Sequence, residues 1–247
     1  MNIKLQKVYR DSKYGFIDET GKIVVPCQWS EVGDFHEGLA RIVDQDKKHG
    51  FIDETGKIVI PCQWNEAGDF SEELASVEDE NGRWGFIDKT KNVVIPCQWY
   101  FAMGFSEGLA RVIDENMKQG FIDKTGTAVI PCQWNEAGVF SEGLLRVLDE
   151  NKKFGYIDKA GQIVIPCQWN GAGDFSEGLA SVEDENGKCG FIDKTGNVVI
   201  PCQWDHIEED FRDGVAVVMN IRNGSMHFYD INKNGKVIGR GGNFFKG

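Results

Sequence analysis

Across residues 38–70, "GLARIVDQDKKHGFIDETGKIVIPCQWNEAGDF", apolar and polar positions alternate in three short runs separated by turn-forming residues. The first run, Leu39 to Asp44, is rich in branched side chains, the second is the short "GFID", and the third is "KIVIPCQW". Period two in the third run places Ile58, Ile60, Cys62 and Trp64 on one face and Val59 and Gln63 on the other. The connection "DQDKKHG" reads "DENGRWG" or "DENGKCG" in other copies, and "ETGK" follows the second run; Asp, Asn and Gly supply the dihedrals of tight turns. Two successive hairpins make a three-stranded antiparallel meander. Pro61 has no amide hydrogen to give a ladder, so the third strand ends there or lies at an edge. The remaining "NEAGDFSEG" is too short for an ordinary helix and reads as a turn or one helical turn held to the core by Phe70. No segment sustains a 3.6-residue period, so the pattern predicts an all-β protein.

The same phrase recurs. "GFID" or "GYID" opens at residues 15, 50, 85, 120, 155 and 190, always 35 apart, and a degenerate seventh copy occupies about 205–247. Its "MHFYDINKNGKVIGR" has no "PCQW" after it, as expected of a capping repeat that lacks a neighbour. The expectation is one domain over 1–247: about seven 35-residue repeats, each a short three-stranded meander, stacked as an open superhelical, solenoid-like array. A closed ring or propeller is the alternative; ends that stay in phase show no shared blade, and 35 residues is short for four strands.

The combination of "FSEGLARV", seen whole at Phe105 to Val112 with variants at Phe35, Phe70, Phe140 and Phe175, with "GFIDxxGxxVIP" and a following "QW", resembles the WG repeat, or KWG repeat, family of bacterial proteins. The resemblance covers nearly the whole chain. The literal Trp-Gly pair stands only at Trp84-Gly85; elsewhere the first position is Tyr14, His49, Gln119, Phe154 or Cys189, which argues against a fixed role for that residue. The resemblance implies a β-rich repeat array that serves as a binding or scaffolding module, and it brings no catalytic residues.

Charge narrows the partners. The 39 acidic against 27 basic residues give a formal charge of −12, which opposes nucleic acid and anionic membrane, since both are bound through clustered Lys and Arg. No apolar run reaches membrane-spanning or signal-peptide length, so a soluble, cytoplasmic protein without membrane insertion is expected. Six of the seven cysteines, Cys27, Cys62, Cys97, Cys132, Cys167 and Cys202, hold one repeat position, which is a buried thiol row rather than a disulfide framework or a clustered zinc site. Neither metal nor cofactor is expected. The Asp after "GFI", as at Asp53 and Asp193, is read as an acceptor for turn amides. Trp29, Trp64, Trp99, Trp134, Trp169 and Trp204 repeat in step, either as packing between units or as an exposed stripe for a protein or carbohydrate ligand. The function expected is a non-enzymatic interaction or scaffolding module. The alternative is an enzyme or accessory domain whose site is formed by copy-specific residues, as in "DHIEEDF" with His206, Glu208, Glu209 and Asp210.

Overall fold

The computed structural model describes residues 5–240. Every regular element in it is a strand, and the strands form seven separate antiparallel sheets, none closed on itself. They are numbered here in chain order: sheet 1 spans residues 6–29, sheet 2 31–64, sheet 3 66–99, sheet 4 101–134, sheet 5 136–169, sheet 6 171–204 and sheet 7 206–239. The chain is therefore an all-β array of seven repeated sheets of three or four strands. It divides into two compact units, Met1–Ala128 and Val129–Gly247. Residues 241–247 of the expected cap lie outside the described residues.

The repeat holds one more strand than the hydrophobic pattern predicts. Sheet 2 runs Glu31–His36, Leu39–Val43, His49–Asp53 and Ile58–Trp64 in simple up-and-down order, and among the described residues only sheet 1 has three strands. The segment expected to be a turn is thus the first strand. It is polar, kinked by a register shift between Val32 and Phe35, and in sheets 3, 4 and 6 reduced to two residues plus an isolated bridge such as Ser71 to Leu74. Its hairpin is the "EG" of "FSEG". Glu37 (φ 51°) and Gly38 (φ 85°) both have positive φ, the two-residue loop whose twist suits paired strands.

The last strand also departs from simple alternation. His49 pairs with Trp64, Phe51 with Ile60 and Ile52 with Ile58, so extra residues bulge out twice along one edge strand. Each bulge resets which face a side chain meets. Ile58 is consequently exposed while Ile60 is fully buried, and the expectation that Ile58, Ile60, Cys62 and Trp64 share one face is corrected. Pro61 sits in the larger bulge of this edge strand, where no ladder amide is needed. Gly50 lies opposite, and a Cβ there would stand 2.6 Å from the Ile60 carbonyl oxygen and 2.7 Å from the Cys62 nitrogen. Gly15, Gly85, Gly155 and Gly190 meet the same crowding. The glycine and the proline of the repeat are therefore two halves of one bulge.

Consecutive sheets pack face to face within each unit. Phe16, Val25 and Trp29 of sheet 1 meet Ala40, Ile42 and Ile52 of sheet 2, and Phe191, Ile200 and Trp204 of sheet 6 meet Phe211, Ala216 and Val218 of sheet 7. Rings 19 or 20 residues apart touch across such interfaces: Phe51 and Phe70 at 4.9 Å, Tyr156 and Phe175 at 4.9 Å, Phe191 and Phe211 at 4.8 Å. A polar clamp closes it at the turn end. Glu142 accepts hydrogen bonds from the Gly178 amide (3.0 Å) and pairs with Lys194 (3.0 Å), as Glu177 does with Gly214 and Lys233 and Glu72 with Gly108 and Lys124.

The seventh copy is aligned by its turn. The Asn232 side chain accepts from the Asn234 and Lys236 amides, so Asn232, not Asp230, stands where the turn Asp of other copies stands. Asp230 instead takes the place of Phe191 and is buried.

Candidate functional site

Each repeated Trp closes the edge strand of its sheet. Trp29, Trp134 and Trp204 are buried and Trp64, Trp99 and Trp169 are half-buried, and in all six the indole Nε1 is shielded without a hydrogen-bond partner. The six are therefore not one uniform stripe. Across the ladder, Trp29 faces Tyr14, Trp64 faces His49, Trp99 faces Trp84, Trp169 faces Phe154 and Trp204 faces Cys189. The place occupied by Trp in the name-giving Trp-Gly pair is thus the variable neighbour of the invariant Trp.

At Trp99 the edge opens into a groove of about 540 Å³. Arg83, Cys97, Gln98 and Trp99 of sheet 3 form one wall, and Asp114, Glu115 and Asn116, the turn of sheet 4, form the other. An indole, two amides, two carboxylates and a guanidinium converge there, a mixture that suits a polar ligand with an apolar face. Asp114 is held in shape by its own turn: its Oδ1 accepts from the Asn116 and Lys118 amides.

A second layer distinguishes the copies. The variable residue of one sheet meets the residue 17 further on in the next. His49 Nε2 lies 3.7 Å from Glu66, the Trp84 and Phe101 rings lie 5.0 Å apart, and Cys189 and His206 line one cavity of about 190 Å³. His49 is buried with Nδ1 unpartnered; burial pushes its pKa down, against the upward pull of Glu66. Sequence reasoning passed over this layer because it looks like noise within one repeat, although the constant offset of 17 residues was there to be found.

The other candidate residues fall as follows. The cysteines are free; the six in "PCQW" are half-buried in the bulge, and Cys189, outside that row, is the buried one. Burial pushes the thiols of Cys62, Cys97, Cys167 and Cys189 up to about 11, which keeps them protonated near neutrality. Asp193 Oδ1 accepts from the Thr195 hydroxyl (2.6 Å) and amide (2.9 Å) and from the Asn197 amide (3.0 Å), and these bonds, the hydroxyl's foremost, hold its pKa at about 2. Asp18, Asp53, Asp88 and Asp123 form the same turn. Of the "DHIEEDF" residues, His206 reaches the cavity, Glu208 and Glu209 are exposed, and Asp210 turns towards Ser181, Asp174 and Arg146. Although Asp210 is exposed as a residue, protein crowds its carboxyl and pushes its pKa up; Ser181's hydrogen bond opposes the rise and Asp174 adds to it. Among the described residues no group of three or more His, Cys, Asp or Glu is placed to hold a metal ion, and no helix is long and apolar enough to cross a membrane.

A family model described as WG containing repeat matches residues 14–48, 50–83, 84–116, 120–152, 154–189 and 190–220. No curated protein matches the chain. Among solved structures, the computationally designed Ika8 protein aligns over 97% of this chain and 84% of its own at 11% identity, with a TM-score of 0.45. BamB from Moraxella catarrhalis aligns over 95% and 80% at 12% identity (TM-score 0.43), and the WD40 β-propeller domain of Doa1 over 86% and 93% at 13% identity (TM-score 0.35).

Proposed function

Because the chain belongs to the WG containing repeat family, we propose that it is a non-enzymatic binding module, a scaffold that offers the grooves at its Trp-bearing edges to a protein or an extended polymer such as a polysaccharide. The observation that carries this reading is the groove at Trp99, where an indole is flanked by Gln98, Asn116 and Glu115. Residues of the same kind recur at the 35-residue spacing: Gln63, Trp64, Glu80 and Asn81, then Gln168, Trp169, Glu185 and Asn186. Weak equivalent contacts along one ligand multiply through effective concentration, which is what a repeated surface is suited to. The chemistry favours recognition over turnover, because the thiols near the grooves are held protonated and the turn carboxylates are committed to backbone amides.

The test is a glycan array and a peptide array probed with the whole chain and with Gln98→Ala/Glu115→Gln. Both side chains are exposed, so the pair should change stability by under about 1 kcal/mol. Loss of at least tenfold in binding to the captured ligand is expected. Binding that is unchanged in this variant and in the matching changes at Gln168 and Glu185 would remove the groove reading.

A further inference from the structure

One interface in the Val129–Gly247 unit is incompletely filled. Across sheet 6 runs the row Gly171, Glu183, Cys189 and Trp204, each residue paired with the next. The corresponding row of sheet 3 is Glu66, Glu78, Trp84 and Trp99. In that row the Trp84 ring lies 5.0 Å from the Phe101 ring of the following sheet, across the space between the two. Sheet 6 has Cys189 where Trp84 stands and Gly171 where Glu66 stands, and sheet 7 answers with His206 rather than Phe101. The side chains that would fill the space are gone. What remains is the cavity of about 190 Å³, lined by Ala172, Val182, Ile207 and the protonated thiol of Cys189, with the Glu183 carboxylate and the His206 imidazole beside them.

We propose that this cavity is a binding socket for one aromatic ring that carries a cationic arm. The ring is inferred from the chain itself: the equivalent space between sheets 3 and 4 holds the indole of Trp84 against an aromatic partner. The size agrees, since an apolar cavity of about 150 Å³ accepts benzene and an indole needs somewhat more. The arm is inferred from charge. Glu183 is the carboxylate in the lining, and its side chain lies 3.2 Å from where a Gly171 Cβ would be, so it borders the space left open by that glycine. A ring bearing an ammonium or guanidinium one to three bonds away satisfies both features, whether it belongs to a free arylalkylamine or to an aromatic residue beside a Lys or Arg in a partner peptide. The inference goes beyond the edge-groove reading and does not depend on it, because the socket lies between different sheets and is probed by small molecules alone.

The experiment titrates the whole chain by calorimetry and ligand-observed NMR with tryptamine, indole, indole-3-propionate and acetyl-Lys-Trp-Lys-amide. Tryptamine is expected to bind one to one, at least fivefold tighter than indole and more tightly still than the anionic propionate. Binding by the peptide as well assigns the socket to a side chain of a partner, and binding by tryptamine alone assigns it to a free amine. Glu183→Gln should bring tryptamine down to the level of indole without moving indole itself. Cys189→Trp/His206→Phe rebuilds the pair found at 84 and 101 and should abolish all binding. Should that double change fail to fold, Gly171→Glu, which copies the residue at 66 and 136, is expected to reduce binding at least tenfold. No binding of tryptamine or peptide to the native chain, equal affinity for tryptamine and the propionate, or binding that survives Gly171→Glu would overturn the proposal.

Discussion

Two glycines in sheet 5 separate two reasons for having no side chain. Gly155 has ordinary φ, but an added Cβ would stand 2.6 Å from the Ile165 oxygen, 2.7 Å from the Cys167 nitrogen and 2.8 Å from the Cys167 sulfur. Gly143 has φ of 89° and nothing within 4 Å of a Cβ. Non-bonded heavy atoms settle at roughly 3.5–4.0 Å, so Gly155→Ala must push the bulged edge strand away by most of an ångström. Two of the three obstructing atoms are backbone and cannot rotate aside. Overpacking of this kind costs about 1–3 kcal/mol, and the upper end applies because the edge strand that must move is paired on both sides of the bulge to the strand that carries Gly155. Alanine returns roughly 0.4–1 kcal/mol by restricting the unfolded chain, which leaves a net loss of about 2 kcal/mol. Gly143→Ala meets only the left-handed backbone cost of roughly 1–2 kcal/mol, less the same return, or about 0.5–1 kcal/mol net. Urea unfolding followed by far-ultraviolet circular dichroism would rank them, with unchanged slopes required for the comparison. If Gly155→Ala cost no more than Gly143→Ala, close approach across the bulge would not be the reason for the repeated glycine.

Trp134 is buried, so Trp134→Ala should cost about 3–5 kcal/mol in the same assay; a midpoint equal to wild type would make the indole a surface group. Glu142 and Glu177 have pKa values held below the usual 4.5, first by hydrogen bonds from Lys194 and Lys233 and also by turn amides. Their stabilisation is fully present above the unfolded value and is lost as pH falls through the lowered folded values, so the urea midpoint should stay level from pH 7 to about 5 and drop below about 4.5; a level midpoint down to pH 3 would refute the clamp's contribution. Lys194→Met should cost about 0.5–1 kcal/mol, as partly exposed pairs do, and should flatten part of that acid limb. With the thiols of Cys62, Cys97, Cys167 and Cys189 at about 11, roughly a thousandth of each is thiolate at pH 8, so disulfide-exchange labelling of these four should be slow, and slowest at the buried Cys189; rapid labelling of Cys189 would contradict its burial.

The features legible in the sequence are those set by local backbone chemistry. The 35-residue period, the hairpins and the Asp-led turns follow from where Asp, Asn and Gly stand, and neighbouring residues alone decide them. Face assignment in the last strand failed for a physical reason: period two holds only while the ladder advances one residue for one, and two bulges interrupt it between Ile58 and Trp64. The missing strand hid in "NEAGDF" because its pairing needs a partner strand rather than its own propensity, with Ala67 and Phe70 as its buried anchors. In the seventh copy "DINKNG" puts an Asp two residues ahead of the turn, and the pairing of Ile231 with Val237 gives the turn role to Asn232 instead.

Repeated and unrepeated positions divide the work of this chain. In the six copies that carry "PCQW", the repeated Gly, Pro, Asp and aromatic residue each answer a shared demand: the bulge, the turn and the ring contact to the next sheet. A residue under such a demand varies only at a cost to its sheet, so it is poorly placed to choose a ligand for one copy. The pairs 17 residues apart carry no such demand, and they are filled by an ion pair at His49 and Glu66, by stacked rings at Trp84 and Phe101, and by neither at Cys189 and His206. Selectivity in an array of this kind therefore belongs to the residues that break the repeat, and the residues that keep it fix the spacing at which those differences are presented.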